Sequence, residues 1–188
     1  MQEEEKSAVP SEVPLPCKFT VKALGWRDAM GLWGIKHTRA PVDELVANAK
    51  KLKQGDSLPF VQLEVRSDGV HVSAQSKSRL VRDHLDGFTP INLISYGVQD
   101  VSFTRVFAMI VVQEGNLKEV HPFRCHAFVC DSRESARRLT FAVATAFREF
   151  SKSVKGKKAK PAKFAIDLRS PEEIQAEMEG REVQDSEA

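Results

Sequence analysis

Two hydrophobic periods alternate along this chain. From Cys17 to Trp26, Phe19, Val21 and Ala23 interleave with Lys18, Thr20 and Lys22, the two-residue period of a strand with one buried face. Phe60 to Val65 and Val70 to Ser73 repeat it on either side of Ser67-Asp68-Gly69, a composition that favours a tight hairpin turn. Leu80 to Asp86 is a weaker strand candidate and Ile91 to Val98 a clearer one. Val106 to Val112 is a continuous apolar run suited to a strand buried on both faces. Gly115-Asn116 marks a turn before a last strand from Phe123 to Cys130.

The helical period is clearest after Cys130. Asp131 is a good N-cap, and Glu134 stands three positions later, where it can reach back to the cap amide. At about 100° per residue, Ala136, Leu139, Ala142, Val143, Ala146, Phe147, Phe150 and Val154 fall on one arc. Arg138, Arg148, Glu149 and Lys152 fall outside it. Phe147 sits near the arc's edge, where an aromatic either finishes the core or lines a groove; Phe141 lies off the arc and receives no role. A further helix is predicted from Pro41, a favoured residue at the first helical position, with Leu45, Val46 and Leu52 as its apolar side and Gly55 as its end. The stretch from Met30 to Ala40 before it reads as a loop carrying Trp33 and a basic set, Lys36, His37 and Arg39. The order is strand, helix, about six strands, helix, with short turns between most strands. That order predicts an α+β fold: an antiparallel sandwich or partly open barrel of about seven strands, capped by the last helix.

Composition bounds the rest. The chain has 188 residues, 41% of them hydrophobic, enough for one ordinary domain with tails. Residues 1–16 read as a disordered leader, 17–154 as the domain, and 155–188 as a basic linker and acidic tail. The net charge of +2 hides an asymmetry: six lysines crowd Lys152 to Lys163, while eight acids against two arginines occupy Asp167 to Ala188. Ser170-Pro171-Glu172-Glu173 is a second capping box, opening a short acidic helix to about Glu179. Cys125 and Cys130 lie five apart on one predicted strand, so they face opposite sides and cannot pair. No run approaches the roughly 18 apolar residues of a membrane span.

Four segments in order carry a resemblance. Ile91-Asn92-Leu93-Ile94-Ser95-Tyr96-Gly97, Val106-Phe107-Ala108, Cys125-His126-Ala127-Phe128 and Ala146-Phe147 resemble the fifth, sixth and seventh strands and the C-terminal helix of phosphotyrosine-binding (PTB) domains, which have a pleckstrin-homology-like (PH-like) fold. The likeness is to the group holding the low-density-lipoprotein-receptor adaptor and the Disabled/Numb-like proteins. One departure is Ala23-Leu24-Gly25, where the family often has Tyr-Leu-Gly.

The resemblance implies a cytoplasmic, peripherally membrane-associated, monomeric adaptor that binds Asn-Pro-x-Tyr peptides of receptor tails by strand addition, with links to endocytosis or signalling. It implies a peptide site of Ile94, Ser95, Tyr96 and Gly97 along the edge strand and Val143, Phe147 and Phe150 on the helix. Ile94 and Val143 also read as plain core. Phosphotyrosine recognition needs converging donors, for which Arg27, Arg105 and Arg124 are the candidates; the Disabled-like resemblance favours binding without phosphate. The alternative is a phosphoinositide-binding module using Lys22, Lys36, His37, Arg39, Lys50, Lys51 and Lys53, a set that also reads as ordinary surface charge. The Lys152–Lys163 run lacks the aromatic interleaving of a nucleic-acid binder. No metal-ligand spacing, Gly-rich phosphate loop or nucleophile elbow is present in the sequence, so no enzyme and no cofactor are expected.

Overall fold

The alternating stretches pair as their periods require. The computed structural model describes residues 13–31, 34–52, 58–74, 87–113, 123–154 and 165–186. In chain order the elements are β1 (Cys17–Asp28), α1 (Lys36–Lys50), β2 (Phe60–Arg66), β3 (Gly69–Ala74), β4 (Gly87–Pro90), a single 3-10 turn (Ile91–Leu93), β5 (Ile94–Gln99), β6 (Val106–Val112), β7 (Phe123–Val129), α2 (Arg133–Val154), β8 (Ala165–Asp167) and α3 (Pro171–Ser186). They build one eight-stranded sheet in the order β4-β3-β2-β1-β7-β6-β5-β8. Every pairing is antiparallel except β5 with β8, which is parallel. The sheet curls without closing into a barrel, and α2 packs across the open side against β1, β2, β5, β6 and β8.

Two apolar layers follow from the strand period. The inner layer joins Phe19, Val21, Leu63, Val72, Phe107, Met109 and Phe128 to the α2 residues Ala136, Leu139, Val143 and Phe147. The outer layer lies on the other face of β5, β6 and β7, where Val98, Ile110 and Ala127 meet Val42 and Leu45 of α1 and Ile174 of α3. Burial on both faces is what the continuous Val106–Val112 run demands. In β1 the pairing with β7 slips between Ala23 and Gly25, and Leu24, on the face opposite Ala23, joins the outer layer. Gly25 has φ 106°, a left-handed value that favours glycine.

Several boundaries differ from those predicted. The cap of α2 is Ser132, whose Oγ accepts the Ser135 amide at 3.0 Å, so Asp131 lies one residue outside the helix. Pro41 lies inside α1 rather than at its start. The earlier start is held by a side-chain bond within the first turn and by a tertiary bond, with no side-chain cap at Ile35. The Thr38 hydroxyl donates to the Ile35 carbonyl at 3.0 Å, and Arg39 reaches the Asp100 carboxylate at 2.5 Å. The helix thereby forgoes only the one bond Pro41 cannot donate. The first three residues of the Ile91–Val98 strand candidate form the 3-10 turn, tied to the β2–β3 hairpin by the Ile91 amide on the Asp68 carbonyl, 2.9 Å.

The predicted leader ends earlier than residue 16: Val13 is buried, and its amide donates to Thr145 Oγ1 at 3.4 Å. An eighth strand was not expected at all. The acidic helix begins at its predicted cap, with the Glu173 amide on Ser170 Oγ at 3.2 Å, and runs on to Ser186. Cys125 and Cys130 are free, buried and in opposite layers; burial, with Asp100 near the first and Asp131 near the second, pushes each thiol up to about 12. The Leu80–Asp86 strand candidate, Leu32-Trp33, Gly55, Gly115-Asn116 and most of the lysine run fall outside the described residues.

Candidate functional site

The seam between β5 and α2 is where the family resemblance implies a site, and its geometry starts with the alternation of β5. Ile94 points into the inner layer and Tyr96 into the outer. A register slip between them puts Ser95 at the bulge, where its hydroxyl donates to the Ile110 carbonyl at 3.3 Å. Gly97 faces inward. A Cβ there would stand 2.9 Å from Cδ1 of Ile166 and 3.3 Å from Cζ of Phe107, so the missing side chain is the space that Ile166 enters.

That contact belongs to β8. Tyr96 pairs with Ala165, Gly97 with Ile166 and Val98 with Asp167, so the outer edge of β5 carries a strand of the chain itself. The Tyr96 hydroxyl donates to Asp167 Oδ2 at 3.0 Å. Arg169 closes on the same carboxylate through Nη2 at 2.6 Å and Nε at 2.9 Å, and pairs with Glu177 of α3. Burial favours the neutral acid at Asp167, but the Arg169 bonds and charge outweigh it and hold its pKa below the ordinary value. Burial, then the facing carboxylate, pushes the Tyr96 phenol far up.

From α2, Arg137 donates to the carbonyls of Leu168 at 2.8 Å and Arg169 at 3.2 Å. Its guanidinium also stacks 5.1 Å from the Phe141 ring, which supplies the role that the helical arc left open for Phe141. Arg133 pairs with Glu172 at the start of α3.

The predicted peptide residues therefore divide. Ser95, Tyr96 and Gly97 lie on β5, the last two under β8. Val143 and Phe147 are 1% and 6% exposed and belong to the inner core, while Phe150 is half-buried at its margin. Sequence reasoning missed Arg137, Ile166 and Asp167; their signal is tertiary, because only the docking of β8 brings them to this seam.

The basic set is split. Lys36 and His37 stand at one end of α1 and Lys50 and Lys51 at the other, about 21 Å apart at 1.5 Å per residue. Arg39 bridges Asp43 and the fully buried Asp100; burial opposes its charge, but Asp100 and Asp43 together outweigh that and raise its pKa. Asp100 also accepts the amides of Ser102 and Phe103 at 3.0 and 2.8 Å, which makes Arg39 a structural clamp. The Lys22 ammonium lies 5.3 Å from the Phe60 ring and that of Lys50 5.5 Å from Phe103. Leu58 lines two clefts, one of about 410 Å³ between α1 and β1 and one of about 360 Å³ between α1 and the Phe103–Val106 stretch, which Lys50 also lines. Lys53 lies outside the described residues.

The three phosphate-donor candidates are not brought together. Arg27 is bound to Glu44 at 3.0 Å, and Arg124 stacks 4.2 Å from Trp26 on the neighbouring strand. Arg105 donates to the Cys130 carbonyl at the other end of β7. Among the described residues no group of three or more His, Cys, Asp or Glu could hold a metal, and no helix is long and apolar enough to cross a membrane.

A PH-like sheet with one helix laid along the β5 edge defines the class. Residues 35–157 match the family model described as the phosphotyrosine interaction domain (PTB/PID), and the chain belongs to that family. Mouse low density lipoprotein receptor adapter protein 1 is 32% identical over 130 residues, covering 69% of this chain and 39% of the relative. The human protein of the same name is 30% identical over 156 residues, covering 80% of this chain and 47% of the relative. The chain thus spans less than half the length of these relatives. Among solved structures, the C-terminal phosphotyrosine interaction domain of mouse APBB2 superposes with a TM-score of 0.51 at 22% identity, over 72% of this chain and 88% of that one; that likeness is one of fold.

Proposed function

We propose that this chain is a non-enzymatic adaptor domain that binds Asn-Pro-x-Tyr-type peptides from the cytoplasmic tails of transmembrane receptors, adding them as a strand at the β5–α2 seam. Its work is recruitment of such tails in endocytosis or signalling. The observation that carries this reading is that the β5 edge accepts an extended segment: it holds β8, with a glycine opposite the inserted side chain. An edge strand offers unpaired amides and carbonyls, and a peptide gains affinity from them and specificity from alternate side-chain pockets. Relatives named as receptor adapters point the same way.

Binding is independent of phosphate in this reading, because Arg27 and Arg105 are engaged elsewhere and Arg124 is stacked on Trp26. The test is a titration of the full chain with labelled peptides carrying Tyr, phospho-Tyr or Ala at the last motif position. The expected order is Tyr equal to or tighter than phospho-Tyr, and both tighter than Ala. Equal affinity for all three, or none, would refute it.

A second reading, attraction to anionic headgroups at a membrane surface, rests on the exposed Lys22, Lys50 and Lys51 around the Leu58–Phe60 segment. It uses a different face and can coexist with the first.

A further inference from the structure

The β8–α3 segment lies beyond the residues that match the family model, 35–157, yet it covers the edge on which the proposed peptide binding depends. Its hold on the domain is local. Three residues pair with β5, Ile166 fills the space over Gly97, and Ile174, 1% exposed, enters the outer layer. The rest of the contact is the Tyr96–Asp167 hydrogen bond, the two Arg137 bonds to the Leu168 and Arg169 carbonyls, and the Arg133–Glu172 pair at the surface, of the exposed kind that adds little. Ten residues, 155–164, tether it to α2.

We infer that residues 165–178 are a removable occupant of the β5 edge, which competes in cis with any extended peptide that would pair there. Because the two are joined by only ten residues of chain, the segment is held at a high effective concentration, so modest contacts suffice to keep it docked. The apparent affinity for an incoming peptide is then reduced by the fraction of molecules with the edge open. A change that loosens the segment tenfold therefore tightens peptide binding by up to tenfold. Only the identity of the competing peptide rests on the proposed adaptor function; competition for the edge does not.

The experiment keeps the full chain and alters only the segment. Ile166→Asp removes the inserted side chain, and Asp167→Ala is a milder variant that keeps both apolar anchors; circular dichroism melts check that each remains folded. Two probes are titrated: a synthetic peptide of residues 163–179 and an Asn-Pro-x-Tyr peptide. The expected result is at least tenfold tighter binding of the synthetic tail peptide to Ile166→Asp than to the parent, and a smaller gain for Asp167→Ala. The parent should also show faster amide exchange at Ala165–Asp167 when saturated with either probe. If the variants bind the tail peptide no better than the parent, or if the Ala165–Asp167 amides stay protected in the saturated parent, the inference is overturned. Tail-peptide binding that tightens while the Asn-Pro-x-Tyr peptide binds neither protein would uphold the competing segment and remove the adaptor reading. An Asn-Pro-x-Tyr peptide that binds parent and variants alike, with β8 protected, would overturn the inference and place peptide binding away from the β5 edge.

Discussion

Phe147→Ala tests the core and the groove at once. The side chain is 6% exposed and packs in the inner layer with Leu139 and Val143. Truncating a buried phenylalanine typically costs about 3–5 kcal/mol, through lost transfer energy and the cavity left behind. A domain of this size has about 5–15 kcal/mol in all, so a raw loss of peptide binding would confound unfolding with a lost contact. The two effects separate if urea denaturation gives the folded fraction and the peptide titration is corrected for it. An aromatic anchor at an interface contributes about 2 kcal/mol or more, so the corrected dissociation constant should rise more than tenfold. Phe150→Ala is the comparison. Its half-buried ring should cost less stability, about half by area, with a similar binding loss if it lines the groove. An unchanged urea midpoint in Phe147→Ala would refute the burial argument. An unchanged corrected affinity would leave Phe147 a core residue alone.

Arg39→Met leaves the Asp100 carboxylate buried without its cation. Breaking such a pair typically costs about 3–5 kcal/mol, so the melting temperature should fall by several degrees, and an unshifted melt would show that the two backbone amides suffice. Docking of β8 should weaken in acid. The Asp167 pKa is depressed on folding, so its contribution is fully present above about pH 4, the ordinary aspartate range, and is lost as pH falls through the depressed value. Amide exchange at Ala165–Asp167 should therefore be flat, once corrected for intrinsic rates, from neutral pH down to about 5, and a loss of protection near neutrality would contradict it. Charge reversal at Lys50 and Lys51 should reduce binding to anionic liposomes at low salt, with the difference shrinking as screening shortens to about 10 Å at 0.1 M. Reversal at Lys36, at the far end of α1, should do less, and equal effects would argue against a localised patch.

What could be read in advance follows the range of the forces involved. The Phe19–Val21–Ala23 alternation, the Ser67-Asp68-Gly69 hairpin and the α2 arc are local patterns, and each formed as its period required. The cap of α2 moved from Asp131 to Ser132 because both residues can cap and only packing chooses between them. The start of α1 moved from Pro41 to Lys36 because the Arg39–Asp100 bond joins residues 61 apart, and no local propensity carries that information. The basic residues looked like one patch in the sequence, but helix rise separates them and Asp100 claims Arg39. β8 was invisible because three residues contain too few alternations to register, and what fixes them, Gly97 and Arg137, lies elsewhere in the chain.

The two ends of the sheet meet the hazard of exposed edges differently, and the difference bears on function. An uncovered edge is a template for unwanted pairing. At one end β4 is four residues long and finishes in Pro90, a short edge that offers little to pair with. At the other end β5 is six residues long, contains no proline, and keeps Gly97 where a strand can approach closely. Such an edge suits a ligand and is a liability without one. A tethered segment resolves the conflict if its hold is strong enough to exclude casual pairing yet local enough to yield to a specific peptide. Three pairing residues and two isoleucine anchors are of that scale, whereas a full-length strand in the sheet interior would not be. On this argument the feature that the sequence failed to announce sets the affinity with which the proposed site can work.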